Sequence, residues 1–203
     1  MKVSEQDRAR ISTAIRAAEK KTSGEIVCVL AQSSSDVTAL PILVAAVAAL
    51  ALPWLLVALT AMSVHRLLVL QILTFVALAL VLCVPHVRVA LVPRAARRAV
   101  AHRAAMEQFT IRGIARTKDR TGILIFVSLA EHYARIIADE GIAKRVPQSE
   151  WQGAIDALIA HMSGGRIADG FVAAIDVCGR VLETHFPRAE TNRDELPDRI
   201  YLI

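Results

Sequence analysis

Two long apolar runs lie in the middle of this 203-residue chain, at residues 40–64 and 67–84, and they constrain its fold more than any other feature. A hydrocarbon core about 30 Å thick is crossed by about 20 helical residues, so each run is long enough to span a membrane. Only His65 and Arg66 separate the runs. The sequence therefore predicts a transmembrane helical hairpin at residues 40–87. The alternative is a buried hairpin in a soluble protein, but such core helices rarely stay uncharged for this length.

The segments on either side of the hairpin have the size and pattern of one small α/β domain. Within residues 1–39, Ser4 and Asp7 have the spacing of a helix capping box, and a buried strand, EIVCVL, follows the helix. Residues 88–187 predict the remainder of the domain, and residues 188–203 predict a polar tail with little order. The hairpin is therefore predicted to be an insertion within one domain.

The part of the chain after the hairpin shows both helical and strand periodicity. The pattern predicts helices at residues 93–109 and 167–185, strands at residues 123–128 and 133–139, and a helix around Trp151 to Met162. The four-residue connection between the strands implies an antiparallel pair. Ser149 and Gln152 have capping-box spacing for the middle helix, and Pro187 ends the last one.

The positive charge of the chain, formally +5, is concentrated directly after the second apolar run. The arginines there are Arg88, Arg94, Arg97, Arg98 and Arg103. Basic residues near span ends are retained on the cytoplasmic side, so we expect a multi-pass inner-membrane protein whose termini and α/β domain face the cytoplasm. Arg94, Arg97 and Arg98 share one face of the predicted basic helix. They are candidate contacts for anionic lipid or a partner protein, and the alternative is a solvated face.

Several classes of protein are disfavoured by the composition. The widely spaced Cys28, Cys83 and Cys178 form no CxxC pair, which favours a reducing compartment over a disulfide framework. The polar opening MKVSEQDRARIS predicts no signal peptide. Nucleic-acid binding is not expected, because there is no recognition motif and few aromatic side chains to stack on bases. Transport by the monomer is disfavoured, because neither run contains an ionisable group.

Three carboxylates are predicted to converge at one end of the sheet. Antiparallel pairing of the two strands places Gly122 opposite Asp139, and therefore Asp119 near Asp139 and Glu140. Carboxylate oxygens at such a position could bind a hard divalent cation such as Ca²⁺. They could also hold a metal that polarises a phosphate ester.

A simpler interpretation of the same carboxylates is open. Lys118 and Arg120 interleave with them in the sequence, so surface ion pairs or turn capping would explain them without a ligand. No cysteine-phosphatase loop, paired-aspartate motif, phosphate-binding loop or serine-hydrolase elbow accompanies them. An enzymatic activity is therefore the less favoured hypothesis.

Four segments, in this order, resemble the TPM domain family. They are TSGEIVCVL at residues 22–30, KDRTGILIFVSLAEHYARIIADEGI at 118–142, VPQSEW at 146–151 and GRIADGF at 165–171. The resemblance implies a small α/β/α sandwich, interrupted here by the hairpin, and it matches the aspartate of the family's Asp-Asn-Gly turn to Asp119. The family includes a phosphatase-like protein of the thylakoid lumen, a photosystem II repair factor and an accessory subunit of a nematode acetylcholine receptor.

Together these observations predict a membrane-anchored, TPM-like domain that acts as a non-catalytic accessory or assembly module. Its expected partners are the lipid bilayer and other membrane proteins. The alternative is a metal-dependent, phosphatase-like hydrolase, which the resemblance and the convergence of Asp119, Asp139 and Glu140 suggest. Family members have different roles, so no particular partner, substrate or oligomeric state follows from the sequence.

Overall fold

The computed structural model of the chain describes residues 3–34, 39–60, 62–84, 93–188 and 195–203. Its contacts divide the chain into two compact units. One unit is an α/β domain that combines Met1–Ser34 with Val100–Ile203, and the other, Ser35–Ala99, contains the two apolar runs. The α/β domain is thus assembled from segments on both sides of the apolar unit.

Seven helices and four strands are formed by the described residues. In chain order they are α1 (Glu5–Glu19), β1 (Glu25–Ala31), α2 (Ala39–Leu59), α3 (Val64–Leu82), α4 (Arg94–Ile111), β2 (Gly122–Ser128), β3 (Tyr133–Ala138), α5 (Glu140–Ala143), α6 (Gln152–Ser163), α7 (Ile167–His185) and β4 (Ile200–Leu202). Two 3₁₀ turns, Ile114–Arg116 and Gln148–Trp151, precede β2 and α6.

The described strands form a mixed sheet in the order β3-β2-β1-β4. β1 lies parallel to both β2 and β4, and β3 is antiparallel to β2. Glu25 of β1 is paired with Gly122, and Cys28 with Ile200. The predicted antiparallel pair is confirmed, and Asp139 N donates to Gly122 O at 2.9 Å, as the predicted register requires.

Two hydrophobic cores lie on opposite faces of this sheet, because successive strand side chains alternate between faces. One face of β1, including Ile26 and Cys28, packs in the larger core with residues of α1, α6 and α7. The other face, including Val27 and Val29, packs in a smaller core with α4, where Phe109 is buried. The α/β domain is therefore an α/β/α sandwich, as predicted.

Helix α1 shows why the local sequence pattern is informative. Ser4 Oγ accepts a hydrogen bond from Asp7 N at 3.1 Å, and Asp7 Oδ2 accepts one from Ser4 N at 3.2 Å. This capping box satisfies amide groups that the first turn of a helix leaves free. Ile11 and Ile15, four residues apart, are then fully buried on one face of the helix.

The polar tail predicted at residues 188–203 is wrong in its last part. Residues 195–203, which we call the strap, run along the sheet edge, and Ile200–Leu202 forms β4 beside β1. Ile203 N donates to Leu30 O at 3.0 Å, and Ile203 O accepts from Gln32 N at 2.9 Å. The guanidinium carbon of Arg112 lies 3.8 Å from the ring centroid of Tyr201. The strap is therefore a structural part of the domain.

Two smaller predictions also differ from the structure. His65 and Arg66 do not form the turn between the apolar helices, because α3 already begins at Val64, with Ser63 at its N-cap position. Ser149 and Gln152 do not form a capping box, because Gln148–Trp151 is a 3₁₀ turn and Trp151 holds the N-cap position of α6 without a side-chain bond.

Candidate functional site

The first candidate site is the outer surface of the apolar unit. Helices α2 and α3 are each long and apolar enough to cross a membrane, and they pack against each other. Ala45 and Ala49 are buried, which is the small-xxx-small arrangement that lets two helices approach closely. Large apolar side chains cover the outside, and Leu50 is 62% and Trp54 84% exposed. Apolar surface of this extent requires an apolar environment or a partner.

The second candidate site is the arginine-rich start of α4. Arg94 and Arg98 are exposed and Arg97 is half-buried. None of the three forms an ion pair with a carboxylate in the part of the chain that the structure describes. The first turn of the helix also contains no acidic residue. Positive side chains at a helix N-terminus are repelled by the positive end of the helix dipole. An anionic partner outside the chain would therefore stabilise these charges.

The third candidate site is the predicted carboxylate cluster at the end of the sheet. Asp139 is buried and caps α5, and its Oδ1 accepts a hydrogen bond from Glu140 N at 2.7 Å. Glu140 is exposed and pairs with Lys144 at 2.9 Å. This bond, assisted by Arg120, lowers the pKa of Glu140 below its usual value. Asp139 and Glu140 are adjacent in the chain, and Asp119 lies on the neighbouring turn with its side chain exposed.

A guanidinium group lies between these carboxylates. Arg120 adopts a left-handed backbone conformation with φ of 56°. Its Nε is 3.5 Å from Asp139 Oδ2, and its Nη2 is 3.5 Å from Glu140 Oε2. Its Nη1 donates to Ala115 O at 2.8 Å, which fixes the side chain in this position. The arrangement corresponds to the ion-pair interpretation of the carboxylates.

The residues present do not fit a metal ion in this arrangement. Among the described residues, no group of three or more His, Cys, Asp or Glu side chains is placed to hold a metal. The Arg120 cation also lies beside both Asp139 and Glu140. A divalent cation at Asp119, Asp139 and Glu140 remains a prediction of the sequence alone, and we derive no chemical step from it.

Gly141 keeps the turn before β2 close to α5. Its N donates to Arg120 O at 3.1 Å. A Cβ atom at this position would lie 2.5 Å from Asp119 O and 2.6 Å from Arg120 O, both of them backbone atoms. The glycine therefore allows the two backbones to approach and positions Arg120 against Asp139 and Glu140.

A buried carboxylate that sequence reasoning missed lies at the opposite end of the sheet. Glu131, in the connection between β2 and β3, hydrogen-bonds Ser33 Oγ at 3.1 Å, Ser34 N at 3.0 Å and Ser128 Oγ. It thereby fixes the end of the segment that leads from β1 towards α2. The sequence feature that could have indicated this contact is the SSS stretch at residues 33–35, because short polar side chains commonly hydrogen-bond to nearby groups.

The cysteines of the α/β domain are structural. Cys28 and Cys178 are fully buried, and this burial raises the pKa of both thiols. A thiol whose pKa is raised is a poor nucleophile and a poor metal ligand. Cys83, outside the domain, is exposed.

Part of this architecture matches a known protein family. Residues 85–181, which begin after the apolar helices and extend into α7, match the family model of the TPM domain. This segment of the chain is similar to the TPM domain family. The match omits α1, β1 and the strap, although the structure places all three in the same compact unit as matched residues 100–181.

A solved structure supports the fold of this chain. The NMR structure of the BA42 protein from the psychrophilic bacterium Bizionia argentinensis is similar to it, with a TM-score of 0.62 and 21% sequence identity. The alignment covers 100% of this chain and 96% of that chain. At this identity the likeness establishes the fold alone. The comparison with curated proteins gives no match.

Proposed function

We propose that this protein is anchored in the inner membrane by the α2–α3 hairpin and that its TPM domain acts in the cytoplasm as a non-catalytic accessory or assembly module. The observation that carries the proposal is the exposed apolar surface of α2 and α3, which contains no described acidic side chain. Ala45 and Ala49 already bury the face that joins the helices, so the remaining apolar surface is available to lipid.

The orientation is tested with a single accessible thiol. Ile159 is 51% exposed on α6, whereas Cys28 and Cys178 are buried. The full-length variant Cys83→Ser, Ile159→Cys is therefore expected to react with a membrane-impermeant maleimide only at the introduced thiol. We expect labelling in sealed inverted inner-membrane vesicles, and labelling in right-side-out vesicles only after permeabilisation.

Two results would contradict the proposal. Labelling from outside intact right-side-out vesicles would reverse the orientation. Recovery of the full-length chain in the soluble fraction, or its release from membranes by high salt without detergent, would remove the anchor. Cys83→Ser without the second substitution is the control, since its two remaining thiols are buried and should stay unlabelled.

We further propose that Arg94, Arg97 and Arg98 bind anionic phospholipid headgroups. Each basic residue near an anionic surface contributes about 1 kcal/mol, which corresponds to about a fivefold change in affinity. Guanidinium groups also form bidentate hydrogen bonds with phosphate. These residues lie at the start of α4, and α4 is the next helix in the sequence after the second apolar helix.

This lipid preference is measured by native mass spectrometry of the detergent-solubilised chain titrated with phosphatidylglycerol or phosphatidylcholine. Arg94→Gln, Arg97→Gln, Arg98→Gln is expected to reduce phosphatidylglycerol binding by about a hundredfold, if each charge contributes about 1 kcal/mol. The matched control, Lys20→Gln, Lys21→Gln, Arg180→Gln, removes the same charge from exposed positions elsewhere. Equal losses in both triple variants would show that the effect depends on net charge alone.

The second candidate function is a phosphatase-like hydrolase. The observation that favours it is the buried Oδ2 of Asp139, which has no hydrogen-bond donor among the described groups and only the Arg120 contact at 3.5 Å. Turnover of a phosphate ester that Asp119→Ala abolishes, with the fold intact, would support this function. A membrane complex that survives Asp119→Ala would support the accessory role.

A further inference from the structure

Two carboxyl groups meet where the strap contacts α1. Glu19 Oε1 accepts a hydrogen bond from Ile26 N at 2.7 Å, and the Glu19 carboxyl group lies within hydrogen-bonding reach of the Asp198 carboxyl group of the strap. Asp198 has a side chain that is only 8% exposed, and its Oδ2 lies 2.9 Å from Arg16 Nε. Its Oδ1 is buried and has no hydrogen-bond partner among the described groups. Two ionised carboxylates cannot hydrogen-bond each other, so this contact requires a proton on one of them.

The surroundings of Glu19 favour its protonated form. Burial, the largest cause, raises the pKa of Glu19 to about 9, and the hydrogen bond to Asp198 and the negative charges of Glu25 and Asp198 add to the shift. The hydrogen bond from the amide of Ile26 acts in the opposite direction. The other titratable or charged groups near the pair are the buried thiol of Cys28 on β1 and Arg16 on α1, which contacts Asp198.

We propose that Glu19 and Asp198 share one proton and that this proton fastens the strap, so that the strap acts as a pH-operated latch. In acid the protonated Glu19 donates to the Asp198 carboxylate, whose buried Oδ1 otherwise lacks a donor among the described groups. As the pH rises through neutrality, ionised Glu19 repels Asp198 and is stabilised by water only when the strap moves away. The equilibrium for opening the strap therefore rises with pH.

Other contacts hold the strap independently of this proton. Ser12 Oγ donates to Asp198 O, and the carboxylate of Glu25 accepts hydrogen bonds from Glu195 N and Leu196 N at 3.4 Å. The contact of Arg112 with Tyr201 also does not titrate near neutrality. Opening of the strap therefore has to break these contacts as well. It uncovers the edge of β1, whose free backbone groups can then pair with another strand.

The latch is tested by amide hydrogen exchange on the full-length chain in detergent micelles between pH 6 and pH 8. An opening reaction that deprotonates Glu19 can become up to tenfold more favourable per pH unit between the open-state and closed-state pKa values. After correction for intrinsic exchange, protection of the strap amides, including Ile203, is expected to fall at least tenfold over this range. Glu19→Gln is expected to keep the strap protected and to remove the pH dependence, because the amide donates to Asp198 without titrating.

Two references make the outcome decisive. Glu5→Gln changes an exposed carboxylate on the same helix and is expected to behave like the unmodified chain. The amides of β2 and β3 report global unfolding, and their protection should not fall in parallel with that of the strap. A fall in Glu19→Gln equal to that of the unmodified chain would overturn the proposal. Constant protection of the strap from pH 6 to pH 8, or an equal fall in β2 and β3, would also overturn it.

Discussion

The free energy of unfolding of the α/β domain is expected to fall by about 2–3 kcal/mol between pH 6 and pH 8, and Glu19→Gln is expected to remove most of this fall. The reason is the pKa of Glu19, which burial raises to about 9 in the folded chain from an ordinary value of 4.5. Between these two values the folded chain holds a proton that the unfolded chain has released.

The sign follows from this difference in bound protons. Because the folded pKa is raised, the stabilising contribution is complete below about pH 4.5 and is lost progressively until about pH 9. Each pH unit in this window corresponds to about 1.4 kcal/mol for a group with a fully shifted pKa. Glu140, whose pKa is lowered, acts in the opposite direction and only at acidic pH. The difference between the parent chain and Glu19→Gln from pH 6 to pH 8 therefore isolates the raised carboxyl group.

The measurement is thermal unfolding followed by tryptophan fluorescence. The chain has two tryptophans, and Trp151 is buried in the larger core whereas Trp54 lies on α2. In a Trp54→Phe background the signal therefore reports the α/β domain. Glu19→Gln should melt at a higher temperature than the parent at pH 8, with a smaller difference at pH 6. Identical pH dependence in both chains would show that Glu19 ionises normally in the folded state.

Gly141→Ala is expected to destabilise the α/β domain by about 2–3 kcal/mol, since overpacking by one methyl group against rigid backbone has a cost of this order. The added Cβ would lie 2.5 Å from Asp119 O and 2.6 Å from Arg120 O, so the turn before β2 has to move. That movement breaks the bond from Gly141 N to Arg120 O and withdraws Arg120 from Asp139. The same thermal measurement detects it.

Gly153 on α6 provides the matched control. A Cβ there would have Val177 Cγ1 as its nearest neighbour, at an ordinary 4.0 Å. Gly153→Ala is therefore expected to stabilise the domain by about 0.5–1 kcal/mol, because alanine restricts the unfolded chain and favours the helix. Destabilisation by both substitutions to the same extent would show that the close approach at Gly141 is not the cause.

Local patterns account for the parts of the fold that the sequence predicts well. The α1 capping box, the register that places Gly122 opposite Asp139, and the bounds of α7 each depend on residues close together in the chain. The apolar helices are recognised by length and composition, and the family by four ordered segments. Each of these signals can be read without knowing what packs against it.

The features that the sequence does not predict depend on contacts between distant segments. β4 has only three residues after a polar stretch, and it becomes a strand because β1 offers a free edge. Glu19 ends an ordinary amphipathic helix, and only the fold brings it against Asp198. The strand register predicts the end of the sheet at which Asp139 and Glu140 lie, but the left-handed conformation of Arg120, which directs its guanidinium between them, has no sequence signature.

The central position of β1 also determines the order in which this protein can form during synthesis. β1 precedes the apolar helices in the chain, whereas its partners β2 and β4 follow them. The ribosome adds about 5–20 residues per second, so the apolar helices emerge seconds before either partner strand exists. In the membrane-anchored protein that we propose, insertion of these helices can therefore be complete while β1 is still unpaired. Pairing of β1 with β2 then closes the long connection that contains the two apolar helices, after those helices have inserted.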